Sequence, residues 1–113
     1  MVTNEQIFEA IEKKKIIVIV RRTYGEDLMN LTRALYQGGI RLMECTFDQS
    51  DPDCLKKTGE AIHMLSEAFP DMYFGAGTVL NRDQVNAAMR AGGRFIISPN
   101  TNTDVIGNTK SLG

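Results

Sequence analysis

Four apolar runs recur along the chain, and each is rich in β-branched or aromatic residues. They cover residues 16–20, 42–47, 72–79 and 95–98. The first run, Ile16 to Val20, is apolar without interruption, which is typical of a strand covered on both faces of its sheet. Each run therefore predicts one β-strand.

Amphipathic segments with helix start and stop signals lie between and around these runs. The start signals are Thr3, Thr23, Asp51–Pro52 and Asn81, and the stop signals are Gly38–Gly39, Pro70 and Gly92–Gly93. A last helix is predicted over residues 101–112, although Gly107 in its middle weakens it. Strands that alternate with helices through short loops predict right-handed βαβ units and a parallel sheet.

These elements predict an α/β fold in which an amino-terminal helix precedes four parallel βα units. That is about half of a (β/α)8 TIM barrel, in a single partial-barrel domain over residues 1–113. Four units do not close a barrel, and the open edges of a parallel sheet can pair with another chain. Two alternatives follow: either the chain self-associates, so that two copies complete eight strands, or it is a truncated product.

Composition narrows the range of partners. The 113 residues carry a formal net charge of −1, so there is no surplus of Lys and Arg for nucleic acid. No apolar run approaches the roughly 20 residues that span a membrane, and a secretory signal is not evident. The two cysteines, Cys45 and Cys54, show no metal-site spacing and are expected to be thiols of a reducing compartment. We therefore expect a cytoplasmic protein that binds neither nucleic acid nor membrane.

The alternation of side chains along the second strand selects a candidate catalytic residue. Leu42, Glu44 and Thr46 share one face of this strand, and the other face is apolar and suits the helix layer. Glu44 is therefore expected inside the barrel, near the carboxyl end of its strand, where barrel enzymes have their active sites. A carboxylate there is either a general acid/base whose pKa is raised by burial or one half of a buried ion pair with an arginine.

The first strand adds a candidate for binding an anion. Ile17, Ile19 and Arg21 share a face, so Arg21 is expected to emerge at the carboxyl end of the strand. Its guanidinium can grip a carboxylate or a phosphate with two parallel hydrogen bonds. The alternative is a surface arginine on a loop.

The third and fourth strands contribute further candidates. In the third, Phe74, Ala76 and Thr78 share a face, and Thr78 either offers its hydroxyl to an anionic ligand or begins the following turn. The neighbouring glycines at 75 and 77 would let backbone or ligand approach closely. Pro99 cannot donate to the sheet and marks the end of the fourth strand.

With these residues placed, the chain resembles the 2-keto-3-deoxy-6-phosphogluconate (KDPG) and 4-hydroxy-2-oxoglutarate (KHG) aldolase family. The segments that carry the resemblance are residues 17–21, 38–46, 69–70, 75–80 and 91–99. They stand in the family's order and spacing and cover nearly the whole chain. The resemblance is to the amino-terminal half of the family's barrel.

The resemblance implies an oligomeric (β/α)8 barrel, usually a trimer, that needs no metal or other cofactor. It implies that a 2-keto-3-deoxy or 4-hydroxy-2-oxo acid is cleaved to pyruvate and an aldehyde through a Schiff base on a strand lysine. Glu44 would then be the catalytic acid/base, Arg21 and Thr78 would hold the substrate, and Pro99 would line the pocket. Thr46, on the face of Glu44, completes the predicted substrate-binding set. The implied partners are a small keto acid and further copies of the chain.

Two departures from the family pattern bear on activity. Asp48 stands where the family commonly has an arginine that contacts the substrate carboxylate, and an acidic residue there would repel pyruvate. The resemblance implies that the Schiff-base lysine lies on the sixth strand of the barrel, which this chain does not reach. The chain's own lysines lie outside the predicted strand ends: Lys13, Lys14, Lys15, Lys56, Lys57 and Lys110. We therefore expect the 113-residue chain alone to be inactive. The alternatives are a non-catalytic half-barrel that self-associates through its sheet edges, or another barrel enzyme that binds a phosphorylated sugar.

Overall fold

The structure, a computed structural model, describes residues 2–113. Helices and strands alternate from the first helix to the third strand, and two helices then follow. In chain order the elements are α1 (Asn4–Lys14), β1 (Val18–Val20), α2 (Gly25–Gln37), β2 (Leu42–Thr46), α3 (Cys54–Ala68), β3 (Tyr73–Gly77), α4 (Arg82–Ala91) and α5 (Thr103–Ser111). The prediction of an α/β fold with an amino-terminal helix is confirmed.

The three strands form a parallel sheet in the order β1-β2-β3. Pairing begins at Val18, opposite Met43, so β1 is two residues shorter than the apolar run that predicted it. In this register Ile16 falls opposite Arg41, which precedes β2. Parallel pairing of strands that follow one another along the chain is what the alternation of elements predicted.

The predicted fourth strand is present only in part, which corrects the expectation of four full strands. Its one bridge joins Ile96 to Ala76, in the parallel sense. Backbone hydrogen bonds nevertheless run along the edge of β3, from Arg94 to Phe74, from Ala76 to Phe95 and from Ile97 to Ala76. The segment lies beside β3 as a fourth strand would, and Pro99 ends the pairing because it has no N–H.

The main core lies between the sheet and the helices. Met43, Cys45 and Phe74 project from the strands into this layer, and α3 meets them with Ile62 and Leu65. All five side chains are at most 5% exposed. Burial of apolar surface on this side determines which face of each strand points to the helices. A shift of the strand register by one residue would move the apolar side chains of that strand to the opposite face of the sheet.

Two of the predicted helix starts are confirmed and two are wrong. Thr3 forms a full capping box with Gln6, and the Asn81 side chain accepts a hydrogen bond from the N–H of Gln84. In contrast, α2 begins after Tyr24, and the Thr23 hydroxyl donates to the carbonyl of Arg21 instead. α3 begins only after Asp53, because the Asp51 side chain accepts from the N–H of Asp53 and pairs with Lys57.

The packing of α3 against the sheet predicts which positions on this helix matter for stability. Ile62→Ala, at a position with no exposed surface, should lower the free energy of unfolding by about 2–5 kcal/mol, because the cavity it leaves adds to the lost burial. Leu55→Ala on the same helix, where the side chain is 39% exposed, should cost only about 0.5 kcal/mol. Urea unfolding followed by circular dichroism measures both. Equal losses for the two variants would contradict the assignment of faces.

Candidate active site

Glu44 lies on the face of the sheet that points away from the helices. It pairs with Ile19 on one side and with Gly75 on the other, and paired residues of parallel strands share a face. Its neighbours in sequence, Met43 and Cys45, belong to the helix-facing core. In a closed barrel the face of Glu44 is the lumen, and the residue is near the carboxyl end of β2.

Glu44 is a largely buried residue whose carboxylate has no protein partner within residues 2–113 and keeps some contact with solvent. The residue is 5% exposed, and within residues 2–113 neither an ion pair nor a side-chain hydrogen bond includes its carboxylate. Burial raises the pKa of this carboxyl group, and the positive charge of Arg21 opposes the rise. An ion pair in contact, the alternative explanation of the residue, is therefore not what the structure contains. A raised pKa at the carboxyl end of a barrel strand suits a general acid/base.

Room for the Glu44 carboxylate is made by Gly77. A Cβ atom at position 77 would lie 1.5 Å from Oε1 of Glu44, so any side chain there would collide with the carboxylate. Gly75 has the same relation to Phe95, whose ring would be 2.3 Å from an added Cβ. The sequence predicted that backbone or ligand would approach these glycines closely. In the structure the side chains of Glu44 and Phe95 do so instead.

Of the three residues predicted to share a face of the third strand, Phe74 and Ala76 do so and Thr78 does not. Phe74 and Ala76 pair with Met43 and Cys45, so they face the helices. Thr78 does not continue the alternation of β3, because it follows the strand in a left-handed conformation with φ of 54°. The turn at Thr78 cannot be inferred from side-chain alternation, since a threonine rarely adopts this conformation.

The Thr46 hydroxyl is already engaged within the sheet. It donates to the carbonyl of Val20 at 3.2 Å, and this bond joins β2 to the end of β1. The Thr46 carbonyl in turn accepts from the hydroxyl of Thr58 on α3, at 3.4 Å. The hydroxyl oxygen keeps lone pairs toward a ligand, but its proton is used.

The loop after β1 places two arginines at the same edge of the sheet. Arg21 is exposed and close enough to Glu44 for its charge to act on the pKa of that carboxyl group. Arg22, in a left-handed conformation, forms an ion pair with Asp48 through Nε at 3.3 Å. Sequence reasoning missed this pair, because the two residues belong to different loops.

Asp48 is thus not an isolated negative charge. The Ser50 hydroxyl donates to it at 2.6 Å and the Ser50 N–H at 3.1 Å. These hydrogen bonds, with a smaller effect from Arg22, hold the pKa of Asp48 below its usual range. The residue stays ionised, and its negative charge is stabilised by the hydrogen bonds from Ser50 and by the ion pair with Arg22.

The remaining predicted residue, Pro99, follows the fourth segment at this edge of the sheet. Just before it, the Ser98 hydroxyl donates to the carbonyl of Val79 at 3.1 Å. Pro99 itself is exposed. The structure therefore brings the ends of all four segments, with Arg21, Thr46, Thr78 and Pro99, to the edge at which Glu44 lies.

Neither a metal cluster nor a strand lysine accompanies these residues. Within residues 2–113, no group of three or more His, Cys, Asp and Glu side chains could hold a metal ion. The lysines lie on α1 and its carboxyl-terminal cap, on α3 and on α5. No helix in the described part of the chain is long and apolar enough to cross a membrane.

Comparison with known proteins gives a consistent result. The family model "Aldolase: KDPG and KHG aldolase" matches residues 7–112. The 2-dehydro-3-deoxy-phosphogluconate aldolase of Treponema pallidum is 39% identical over 107 residues, which are 95% of this chain and 48% of that protein. The KHG/KDPG aldolase of Escherichia coli is 32% identical over 83 residues, or 74% of this chain and 35% of that protein.

Solved structures agree with the sequence relatives. KDPG aldolase from Legionella pneumophila, with pyruvate captured as a covalent carbinolamine intermediate, matches with a TM-score of 0.75 and 30% identity over 96% of this chain and 48% of that one. The Zymomonas mobilis aldolase with 3-phosphoglycerate matches with a TM-score of 0.77 and 26% identity, over 96% and 49%. The chain thus spans about half the length of these relatives.

The contact between Glu44 and Gly77 can be tested by a double-mutant cycle. Gly77→Ala should lower the free energy of unfolding by about 1–3 kcal/mol, because the new methyl group displaces the carboxylate. In a Glu44→Ala background the same change should cost much less. Gly59→Ala is the control, since a Cβ there meets no atom within 4 Å and a helical Gly→Ala change stabilises by about 0.5–1 kcal/mol. Additive losses in the cycle would show that the two residues do not touch.

The burial of Glu44 predicts how stability depends on pH. Because the folded pKa is raised, the protonated form is favoured in the folded state, and this stability is present in full below the unfolded pKa. It is lost as pH rises through the folded pKa. The parent chain should therefore lose stability relative to Glu44→Gln between acid and neutral pH, in unfolding measured at several pH values. A difference that stays constant with pH would mean that the carboxyl group is solvated.

Proposed function

Because the chain belongs to the KDPG and KHG aldolase family, we propose that it forms the part of a Schiff-base aldolase that supplies the acid/base. The reaction would cleave a 2-keto-3-deoxy or 4-hydroxy-2-oxo acid to pyruvate and an aldehyde. The observation that carries the proposal is Glu44, a largely buried residue at the carboxyl edge of the sheet whose carboxylate has no protein partner within residues 2–113. The aldol step needs a group that both accepts and returns a proton, and a raised pKa suits this role.

In the proposed reaction Glu44 moves protons while the carbon–carbon bond breaks. A lysine amine attacks the keto carbon of the substrate, and loss of water leaves a protonated Schiff base that acts as an electron sink. Glu44 would accept the proton of the substrate hydroxyl as the aldehyde leaves, and the electrons of the broken bond form an enamine. Return of a proton to the enamine carbon and hydrolysis then release pyruvate and the free amine.

Arg21 and Thr78 are the proposed ligands of the anionic ends of the substrate. Thr46, whose hydroxyl proton is engaged, is proposed to accept a hydrogen bond from a substrate hydroxyl, and Pro99 is proposed to line the pocket. Arg21 supplies the charge, and within residues 2–113 no ion pair occupies it. Thr46 and Thr78 stand at the ends of neighbouring strands, so their polar groups can meet one ligand. Pairing of Asp48 with Arg22 supports the proposal, because the aspartate charge expected to repel a keto acid is partly neutralised.

We further propose that the lysine of the reaction comes from outside these 113 residues. Every lysine of the chain lies on a helix or helix cap, and a Schiff-base lysine needs burial or a nearby cation to lose its proton near neutral pH. The 113-residue polypeptide alone would then be inactive. Such chemistry needs no metal or other cofactor. A cytoplasmic location would agree with the two free thiols of Cys45 and Cys54.

A second candidate function is self-association of the half-barrel. On the face of Glu44, Ile19 is 54% exposed, and Ile97 beyond β3 is 41% exposed. β1 also has a neighbour on only one side. Apolar surface next to an unpaired sheet edge favours pairing with another chain. Sedimentation as a monomer at high concentration would remove this candidate.

The proposed function can be tested in a fusion of this chain with the carboxyl-terminal half of the Treponema pallidum relative. The fusion should release pyruvate from a 2-keto-3-deoxy acid, and borohydride should trap pyruvate on it, whereas the chain alone should do neither. Glu44→Gln should lower kcat of the fusion by about a hundredfold or more, because general acid/base catalysis is lost. Glu60→Gln, an exposed position on α3, is the matched control.

Two results would contradict the proposal. A borohydride adduct of pyruvate on the chain alone would place the lysine within these residues. An active fusion with unchanged kcat in Glu44→Gln would remove Glu44 from the chemistry. A fusion that binds phosphorylated sugars but never yields an adduct would favour a barrel enzyme without a Schiff base.

A further inference from the structure

Two glutamines connect the loops at the carboxyl edge of the sheet. Gln49 lies in the loop after β2, and Gln84 lies in the first turn of α4. The N–H of Leu80 donates to Oε1 of Gln84 at 2.8 Å, and Nε2 of Gln84 donates to Oε1 of Gln49 at 2.8 Å. Nε2 of Gln49 then donates to the carbonyl of Thr78 at 2.7 Å. We call these three hydrogen bonds the amide relay.

The direction of the amide relay is fixed at both ends. The oxygen and nitrogen of a glutamine amide are interchangeable in shape, so a flip usually has to be assigned from the partners. Here one end is a backbone N–H of Leu80, which can only donate, and the other is a backbone carbonyl of Thr78, which can only accept. Each glutamine must therefore present its oxygen toward Leu80 and its nitrogen toward Thr78. No other pair of amide orientations satisfies all three bonds.

Burial makes the inner half of the relay costly to break. Gln84 is 3% exposed, and its own N–H is satisfied by the side chain of Asn81 at 2.9 Å. A buried amide that loses a partner costs about 1–3 kcal/mol. Gln49 is exposed but donates a second bond, to the carbonyl of Phe47 at 3.3 Å. The relay therefore joins the end of β2 to the turn after β3.

The turn held by the relay is strained. Thr78 has φ of 54°, which costs a residue with a Cβ about 1–2 kcal/mol. The relay binds the Thr78 carbonyl and the Leu80 N–H, and between them the N–H of Val79 donates to the carbonyl of Ile97 at 3.3 Å. The turn also begins directly after Gly77, which lies against Glu44. Release of the turn would thus change both the Thr78 position and the packing around Glu44.

We infer that Gln49 and Gln84 are positioning residues, which hold Thr78 in its left-handed turn so that the candidate site can receive the carboxylate of a keto acid. The inference rests on the proposed function. Neither glutamine touches the Glu44 carboxylate in the structure, so both act through the turn. Because the relay needs one donor and one acceptor on each side chain, glutamine is required at both positions, and an isosteric glutamate with two acceptors cannot replace it at neutral pH.

The test uses the 113-residue chain, labelled for NMR, with the variants Gln84→Glu and Gln49→Glu. In each, two acceptors face each other and one bond of the relay is lost. The turn should then open more often, and hydrogen exchange of the Leu80 amide within it should accelerate about tenfold. The three-bond coupling between the N–H and Hα of Thr78 should rise toward the value of extended backbone. Gln37→Glu, which makes the same change at the exposed end of α2, should leave both unchanged. If Gln84→Glu fails to fold, Gln49→Glu tests the relay from its exposed end.

A pyruvate titration of the same substitutions, made in the fusion with the carboxyl-terminal half of the Treponema pallidum relative, tests the functional half of the inference, because the proposed site is complete only there. The two relay variants should bind pyruvate about tenfold more weakly than the parent and the Gln37→Glu control, as for loss of one well-placed hydrogen bond to a charged ligand. Unchanged Thr78 coupling and Leu80 exchange in both relay variants would overturn the relay. A released turn with unchanged pyruvate affinity would overturn the positioning role. A parent fusion that does not respond to pyruvate would overturn the proposed binding site, while the coupling and exchange data on the 113-residue chain would still decide the relay.

Discussion

The position of the Glu44 carboxylate above Gly77 requires several features of the sheet at once. β2 and β3 must be parallel and in a register that sets Glu44 beside Gly75, and the carboxylate then extends over the next residue on that face of β3. A slip of one residue would bring Ala76 or Phe74 to this face and close the space. The register is held from the other side of the sheet, where Met43 and Cys45 pack against the helices. The apolar layer thus determines the surroundings of the one buried carboxylate.

The fold and the catalytic candidate could be predicted from sequence because both depend on local patterns. An unbroken apolar run predicts a buried strand wherever it occurs, and the alternation of Leu42, Glu44 and Thr46 with apolar neighbours leaves only one face for the carboxylate. One strand later the same alternation held for Phe74 and Ala76 but not for Thr78. The glycines at 75 and 77 have no side chains to mark a face, and the left-handed Thr78 ends the alternation where the prediction depended on it.

Interactions between loops could not be predicted in this way. The Arg22–Asp48 ion pair and the bonds from Gln84 through Gln49 join residues that are 26 and 35 positions apart. Their geometry depends on turns whose backbone angles no local pattern specifies. The helix starts at Thr23 and Asp51 failed for a related reason, because short polar side chains found other backbone partners before the helix began.

The two faces of the sheet differ in how completely they are covered, and this difference affects how a site of this kind is assembled. The helix-facing side is a packed apolar core, whereas Ile19 on the opposite side is half exposed. Glu44 is nevertheless already buried by its own neighbours. Its raised pKa therefore arises from contacts within these residues and does not need the rest of a barrel. Additional strands over this face would exclude more water and raise the pKa further, while the positive charge of Arg21 would act in the opposite direction with less screening. The balance of these two effects would set the proton affinity of the complete site.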